Sequence, residues 1–370
     1  MNAVLKAPWQ RAARIEYPLL PLLITLLIFL AGGQHLLGDA SPPWWLAISF
    51  VWLFGAILWA SLCVVRHAEA LAARLGEPYG TLILTVSVII IEVSTIAMVM
   101  LHGADNPTFA SQTMLAVIMI IMNGMVGLSL LVGGLRYREQ QYNLQGANAY
   151  LDVILVLCVL GLVLPTFTVG RAALSTPHQV FQIVLSLGIY LIFLFIQTSR
   201  HRGYFMLPEA ESRHSPAHEG ESGPLAYHVV LLLAYLIPVV LLAEKLAIPI
   251  DYPIETLGYP QALGGLIVAC LVCTPEAIAA VHAAFNNQLQ RAINTSLGSV
   301  LASIGLTIPA VLVVGFLTHR DVFLGLHGPS LVLLLLTLTV SIITFTSKRT
   351  NILQGLVHLL LFLAYLLFVL

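Results

Sequence analysis

Charge is what this sequence has least of. Of its 370 residues only 9% are Asp, Glu, Lys or Arg, against 59% hydrophobic, with a net charge of −1; mean hydropathy is +0.95. So little charge cannot coat an ordinary soluble domain, and no nucleic-acid partner is expected. Cysteine is nearly as scarce. Cys63, Cys158, Cys270 and Cys273 all sit in apolar runs, which excludes a disulfide framework and a zinc site. Cys270-x-x-Cys273 lacks a second pair and reads as helix packing. No H-E-x-x-H pair and no G-x-S-x-G turn occurs, so the chain is not read as an enzyme, and no cofactor is expected. The first apolar run is too long for a cleavable signal and has no small-residue cleavage site.

What the chain does have is apolar runs of roughly 20 residues, the length that spans a bilayer as a helix. Eleven are expected, at residues 17–33, 44–65, 79–100, 113–135, 150–169, 180–199, 225–242, 257–284, 293–317, 329–346 and 352–370. The fold class is therefore an all-α integral membrane protein. Placing the N-terminus in the cytoplasm and alternating the loops puts every Lys and Arg inside except Arg171, Lys245 and Arg320. That is the bias of the positive-inside rule, and it leaves the C-terminus outside.

One hydrophilic connector, "HRGYFMLPEAESRHSPAHEGESGP" at 201–224, divides the chain. Its composition suits a disordered linker; the alternative is a cation or pH sensor built from Glu209, Glu211, Glu219 and Glu221 among His201, His214 and His218. The expected organisation is residues 1–70 as N-terminal segment, first helix and start of the first repeat, 44–199 as a first five-helix repeat, 200–224 as linker and 225–370 as a second. An odd number of spans per half inverts one half relative to the other, the arrangement of many secondary transporters.

Two acids stand out in this frame. Glu92 lies in "TLILTVSVIIIEVSTIAMVM" and Glu276 in "ACLVCTPEAIAAVHAAF", each in the second span of its half and neither with a Lys or Arg in its own run. A carboxylate in hydrocarbon is costly and marks a functional site by default. Pro275 removes the helical donor to the Leu271 carbonyl, leaving an oxygen of the kind hard cations take. Helical spacing puts Thr85 and Thr95 on the face of Glu92, and Ser296, Ser299, Ser303 and Thr307 on one stripe of the span after Glu276. The corresponding first-half span offers Asn123, Gly124, Gly127, Ser129, Gly133 and Gly134. Packing between helices explains such stripes equally well. His282, Asp152 and His358 receive no role. A cation channel without proton coupling is the rival from another class.

Five segments carry a family resemblance: "GEPYG" (76–80), "IIEVS" (90–94), "TPEA" (274–277), "NNQLQRAIN" (286–294) and "GSVLASIGLTIP" (298–309). The chain resembles the ChaA-type calcium/proton antiporters, in the cation/proton exchanger branch of the cation/calcium exchanger superfamily. That implies a bacterial inner-membrane exchanger of cytoplasmic Ca²⁺ for protons, with Glu92 and Glu276 as the paired acids binding metal and H⁺ in turn. Ser299, Ser303, Thr95 and the Leu271 carbonyl would complete the metal shell. The partners implied are inorganic cations, protons and lipid, with a homo-oligomer left open. The family's Asn three residues before each acid is replaced here by Ile89 and Cys273, and an expected Gln by Ala302. These departures make Na⁺ or K⁺ exchange the alternative.

Overall fold

The computed structural model describes residues 16–38, 41–76, 79–102, 106–168, 175–206 and 224–369. Apart from one short strand pair, the regular structure is helical: α1 Leu19–Leu36, α2 Pro43–Leu75, α3 Tyr79–Leu101, α4 Phe109–Tyr137, α5 Leu144–Thr168, α6 Thr176–Arg200, α7 Leu225–Glu255, α8 Gln261–Phe285, α9 Leu289–Thr318, α10 Pro329–Thr344 and α11 Ile352–Val369. Nine of these, among the described residues, are long and apolar enough to cross a membrane, and α1 and α10 are shorter apolar helices. Lys6, Arg11, Arg14, Arg171 and the linker's Glu209, Glu211, His214, His218, Glu219 and Glu221 lie outside the described residues.

Two expectations need correction. The runs at 44–65 and 225–242 are only the apolar parts of much longer helices of 33 and 31 residues. At 1.5 Å per residue each measures about 45–50 Å, against a hydrocarbon core of about 30 Å. The extra turns carry polar residues, Arg66 to Arg74 in α2 and Glu244 to Glu255 in α7. Lys245, expected in a loop, thus lies within α7, its ammonium 2.7 Å from Glu244.

The core sits where α3, α4, α8 and α9 meet. The apolar windows of α4 and α9 are 78% and 67% buried, against 28% for α6 and α11, which places the latter two at the rim. Rim helices show large apolar side chains outward, among them Phe181, Val184, Ile192, Leu360 and Leu367. A contiguous apolar exterior of this kind needs lipid, not water, around it. Close crossings are made by glycine. A Cβ on Gly355 of α11 would lie 2.7 Å from the Leu131 nitrogen and 2.9 Å from the Gly127 oxygen of α4, and one on Gly265 of α8 would lie 2.9 Å from the Thr113 nitrogen of α4. Small residues at such points let helix backbones touch where no hydrophobic force drives them together. The strands, β1 Gln140–Gln141 and β2 Arg349–Thr350, pair antiparallel and tie the end of α4 to the start of α11.

Candidate functional site

α3 carries Glu92 into the centre of the bundle, where it is fully buried. Its Oε2 accepts a hydrogen bond from Ser303 Oγ at 2.8 Å, and its Oε1 is buried with no hydrogen-bond partner. α8 carries Glu276, partly exposed, whose Oε2 accepts from Ser299 Oγ. Ser299 and Ser303 are four residues apart on α9, one turn or about 5.4 Å of rise. A single helix face therefore bridges the two acids, which lie within electrostatic reach of each other. Among the described residues neither carboxylate pairs with a basic side chain; ion pairs stand elsewhere, at Arg66–Glu16, Lys245–Glu244 and Arg349–Glu139.

Local sequence explains how each group arrives there. At Ser303–Thr307 α9 widens into a turn with i→i+5 bonding, a distortion that recurs at functional sites. Thr307 ends this turn with a buried hydroxyl beside the Glu92 carboxylate. In α8, Pro275 leaves the Leu271 carbonyl without its helical donor, and the Thr274 hydroxyl caps the neighbouring Cys270 carbonyl at 2.5 Å. Cys273, buried one turn before Glu276, lies within electrostatic reach of both carboxylates.

The other expected residues divide. Thr95 is buried one turn beyond Glu92, but its hydroxyl donates to the Ile91 carbonyl of its own helix at 2.7 Å. Ser296 likewise donates to Ala292. In the first-half wall, Asn123 is engaged elsewhere: its Nδ2 donates to Thr337 Oγ1 at 2.8 Å, and its Oδ1 meets His358 Nδ1 at 3.0 Å. Gly124, Gly127 and Gly134 face Phe362, Leu359 and Ile352 of α11, and Gly133 faces Gln140. The glycines of that stripe thus serve as packing points against neighbouring side chains. Sequence reasoning assigned no role to His358, which holds Asn123, nor to Gln197, which lines a cavity of about 250 Å³ at the site. Thr85, Gln197 and Asn294 line it together with Glu276, Ser299 and Ser303. Gln197, a polar residue at the end of an apolar run, was the available signal. Glu92 does not line the cavity; it lies behind Ser303. The site is thus open toward the end of the bundle that holds Gln197 and Asn294.

Two acids without counter-charge, bridged by hydroxyls and one of them lining a cavity, can hold a cation or protons. Among the described residues no cluster of three or more His, Cys, Asp or Glu forms a resident metal centre. The chain matches the sodium/calcium exchanger protein family over residues 44–199 and 227–370. It belongs to that family. Among relatives, a Sinorhizobium fredii protein named as an ionic transporter, y4hA, is 46% identical over 316 residues, 85% of this chain and 86% of its own length. The sodium-potassium/proton antiporter ChaA of Escherichia coli is 38% identical over 349 residues, 94% and 93% of the two chains. The Ca²⁺/H⁺ antiporter ChaA of Bacillus subtilis is 25% identical over 273 residues, 70% and 76%. The structure of native YfkE superposes with a TM-score of 0.68 at 19% identity, covering 94% of this chain and 97% of YfkE; at that identity it speaks for the fold. The protein is a multi-pass, ChaA-type cation/proton antiporter of the exchanger family, not an enzyme.

Proposed function

We propose that this antiporter exports a cytoplasmic monovalent cation, Na⁺ or K⁺, and takes up protons in return, each bound by turns at Glu92 and Glu276. The observation that carries the reading is the pair of acids met only by hydroxyls. In hydrocarbon such carboxylates need neutralising before the site is sealed and reopened, and H⁺ or a cation does so. Ser299, Ser303, Thr307 and the Leu271 carbonyl are the oxygens within the site's neighbourhood that would complete a shell; Thr95 is committed to its own helix. Ca²⁺ calls for six to eight oxygens, and Ile89 and Cys273 offer none where the resemblance calls for Asn. This donor set and the similarity to the sodium-potassium/proton antiporter favour monovalent exchange. Two full carboxylates, which match the charge of Ca²⁺, support calcium as the second reading.

Eleven spans in two inverted five-helix halves after α1 suit this function, with α1 and α10 crossing as well. The family match falls in two segments, 44–199 and 227–370, one on each side of the connector, which supports the division. With the N-terminus inside and the C-terminus outside, in a bacterial inner membrane, the cavity at Gln197 and Asn294 opens to the cytoplasm.

The test is pH-gradient-driven uptake into proteoliposomes, with radioactive Na⁺, Rb⁺ (for K⁺) and Ca²⁺ compared in parallel. Glu92→Gln and Glu276→Gln are each expected to abolish coupled uptake. Coupled transport surviving in both variants refutes the assignment, and conduction of current without proton movement points to a channel.

A further inference from the structure

A second cluster of titratable groups lies away from the exchange site, at the end of the bundle assigned above to the cytoplasm. His67 on α2 and His228 on α7 are both fully buried, and their Nδ1 atoms lie 3.1 Å apart. Glu16, just before α1, closes the cluster. Its carboxylate accepts from Arg66 at 2.8 Å, from Tyr235 at 2.9 Å and from Tyr227 at 3.1 Å, and lies 3.4 Å from His67 Nε2. One acid thus joins the N-terminal segment to the first helix of each half.

The hydrogen-bond network assigns the protons. Arg66 lies 3.1 Å from His67 Nε2, and a guanidinium can only donate. Nε2 therefore accepts, and Nδ1–H of His67 donates to His228 Nδ1. The proton of neutral His228 then sits on Nε2, which is buried without a partner. A second proton disturbs this arrangement. On His228 Nδ1 it would face the His67 N–H, and on His67 Nε2 it would displace the Arg66 N–H and turn toward Glu16 Oε2, 3.4 Å away. Added positive charge would also be buried beside a carboxylate already matched by Arg66, a costly arrangement.

Other titratable and charged groups surround the pair. Cys63 and Arg66 come from α2, Tyr227 and Tyr235 from α7. Across the adjoining cavity stand Glu69 of α2, His282 of α8 and Arg291 of α9. α3 brings Tyr79 at its start and Glu92 at mid-helix, and α1 has His35 at its far end. Burial pushes the Glu16 carboxyl up, but the Tyr235 hydrogen bond, the Arg66 charge and the contact with His67 outweigh it and hold it below the usual carboxylate value. Glu16 stays ionised throughout the range in which histidine changes charge.

We infer that the His67–His228 pair is a proton-binding site distinct from the exchange site, a cytoplasmic latch that opens when it takes up H⁺ and slows exchange. α2 and α7 both pack on α3 and α8, the helices that carry Glu92 and Glu276, so parting them loosens the support of both acids. Exchange that brings protons inward thereby limits itself as the cytoplasm acidifies. The effect on rate rests on the proposed exchange; the opening of the latch does not.

Two measurements on the full chain separate these. In proteoliposomes, maximal Na⁺ exchange at saturating cation is followed as the cytoplasmic-face pH falls from about 8 to about 5.5, the span over which histidine gains its proton. Protons competing at the carboxylates raise KM, whereas the latch lowers the maximal rate. The wild type is expected to lose maximal rate several-fold, and His228→Asn, which keeps a polar group near Nδ1 but gains no proton, to stay flat. Independently, amide hydrogen exchange in detergent, without any gradient, is followed in residues 16–30 and 225–235. Protection there, corrected for intrinsic rate, is expected to fall with pH in the wild type and to hold in His228→Asn. Identical rate profiles in the two proteins, or wild-type protection indifferent to pH, overturns the inference. The wild-type hydrogen-exchange arm decides the matter even if the variant does not fold or the chain exchanges no Na⁺.

Discussion

Replacing Ser303 by alanine removes the hydroxyl that holds Oε2 of Glu92, a carboxylate whose other oxygen has no hydrogen-bond partner. A hydroxyl that donates to a carboxylate keeps its lone pairs free for a cation, so Ser303 both orients the acid and supplies an oxygen. A hydrogen bond to a charged group is worth about 1.5–3 kcal/mol. At a factor of ten per about 1.4 kcal/mol, this predicts a rise of about tenfold to about a hundredfold in the KM for the transported cation. The control is Ser296→Ala on the same stripe, whose hydroxyl is spent on the Ala292 carbonyl at 2.8 Å and whose loss should leave KM unchanged. The assay is initial-rate uptake into proteoliposomes over a cation series at fixed pH gradient. Equal effects of the two substitutions would refute the assignment of Ser303, because the argument depends on where each hydroxyl points.

Thr307→Val removes a buried hydroxyl beside the Glu92 carboxylate and is expected to shrink the rise in melting temperature that cation produces, as read by thermal unfolding. Gly355→Ala forces a methyl against the backbone of α4 at Leu131 and Gly127 and should cost about 1–3 kcal/mol, seen as a lowered melting temperature with the cation KM preserved. Glu16→Gln is expected to destabilise the protein near neutral pH. Because the Glu16 value is depressed in the fold, its own carboxylate contribution is present above the ordinary carboxylate value of about 4.3 and lost as pH falls through the lowered one; the difference in melting temperature should vanish in strong acid.

Much of this was legible because hydrophobic length and uncompensated charge are local signals. Nine of the expected runs correspond to helices long and apolar enough to span, and Glu92 and Glu276 were identifiable from the absence of any basic neighbour. The misjudged parts depend on facts that periodicity does not carry. The apolar run of α2 stops at 65, yet its helix continues to Leu75, because polar residues with adequate helix propensity continue a helix beyond the apolar zone. The latch was invisible for a related reason: Glu16, His67 and His228 are far apart in sequence, and each alone reads as an interfacial polar residue.

Two helices, α4 and α9, illustrate the deeper limit of pattern reading. α4 and α9 each bring small and polar residues toward the centre, and each contains a turn with i→i+5 bonding, at Ile120–Met125 and Ser303–Thr307. On sequence alone both stripes serve equally as cation wall or packing surface. The difference lies in what stands opposite. Asn123 finds His358 and Thr337, groups able to satisfy an amide, and is consumed by them. Ser299 and Ser303 find acids, which accept their protons and leave their oxygens available. Hydroxyls from a single helix therefore bridge both carboxylates, so any rearrangement that moves Glu92 apart from Glu276 must break one of two hydrogen bonds on α9. A cation or a pair of protons that neutralises the acids weakens the charge that holds those bonds, which is how occupancy of the site can bear on the packing of the helices around it.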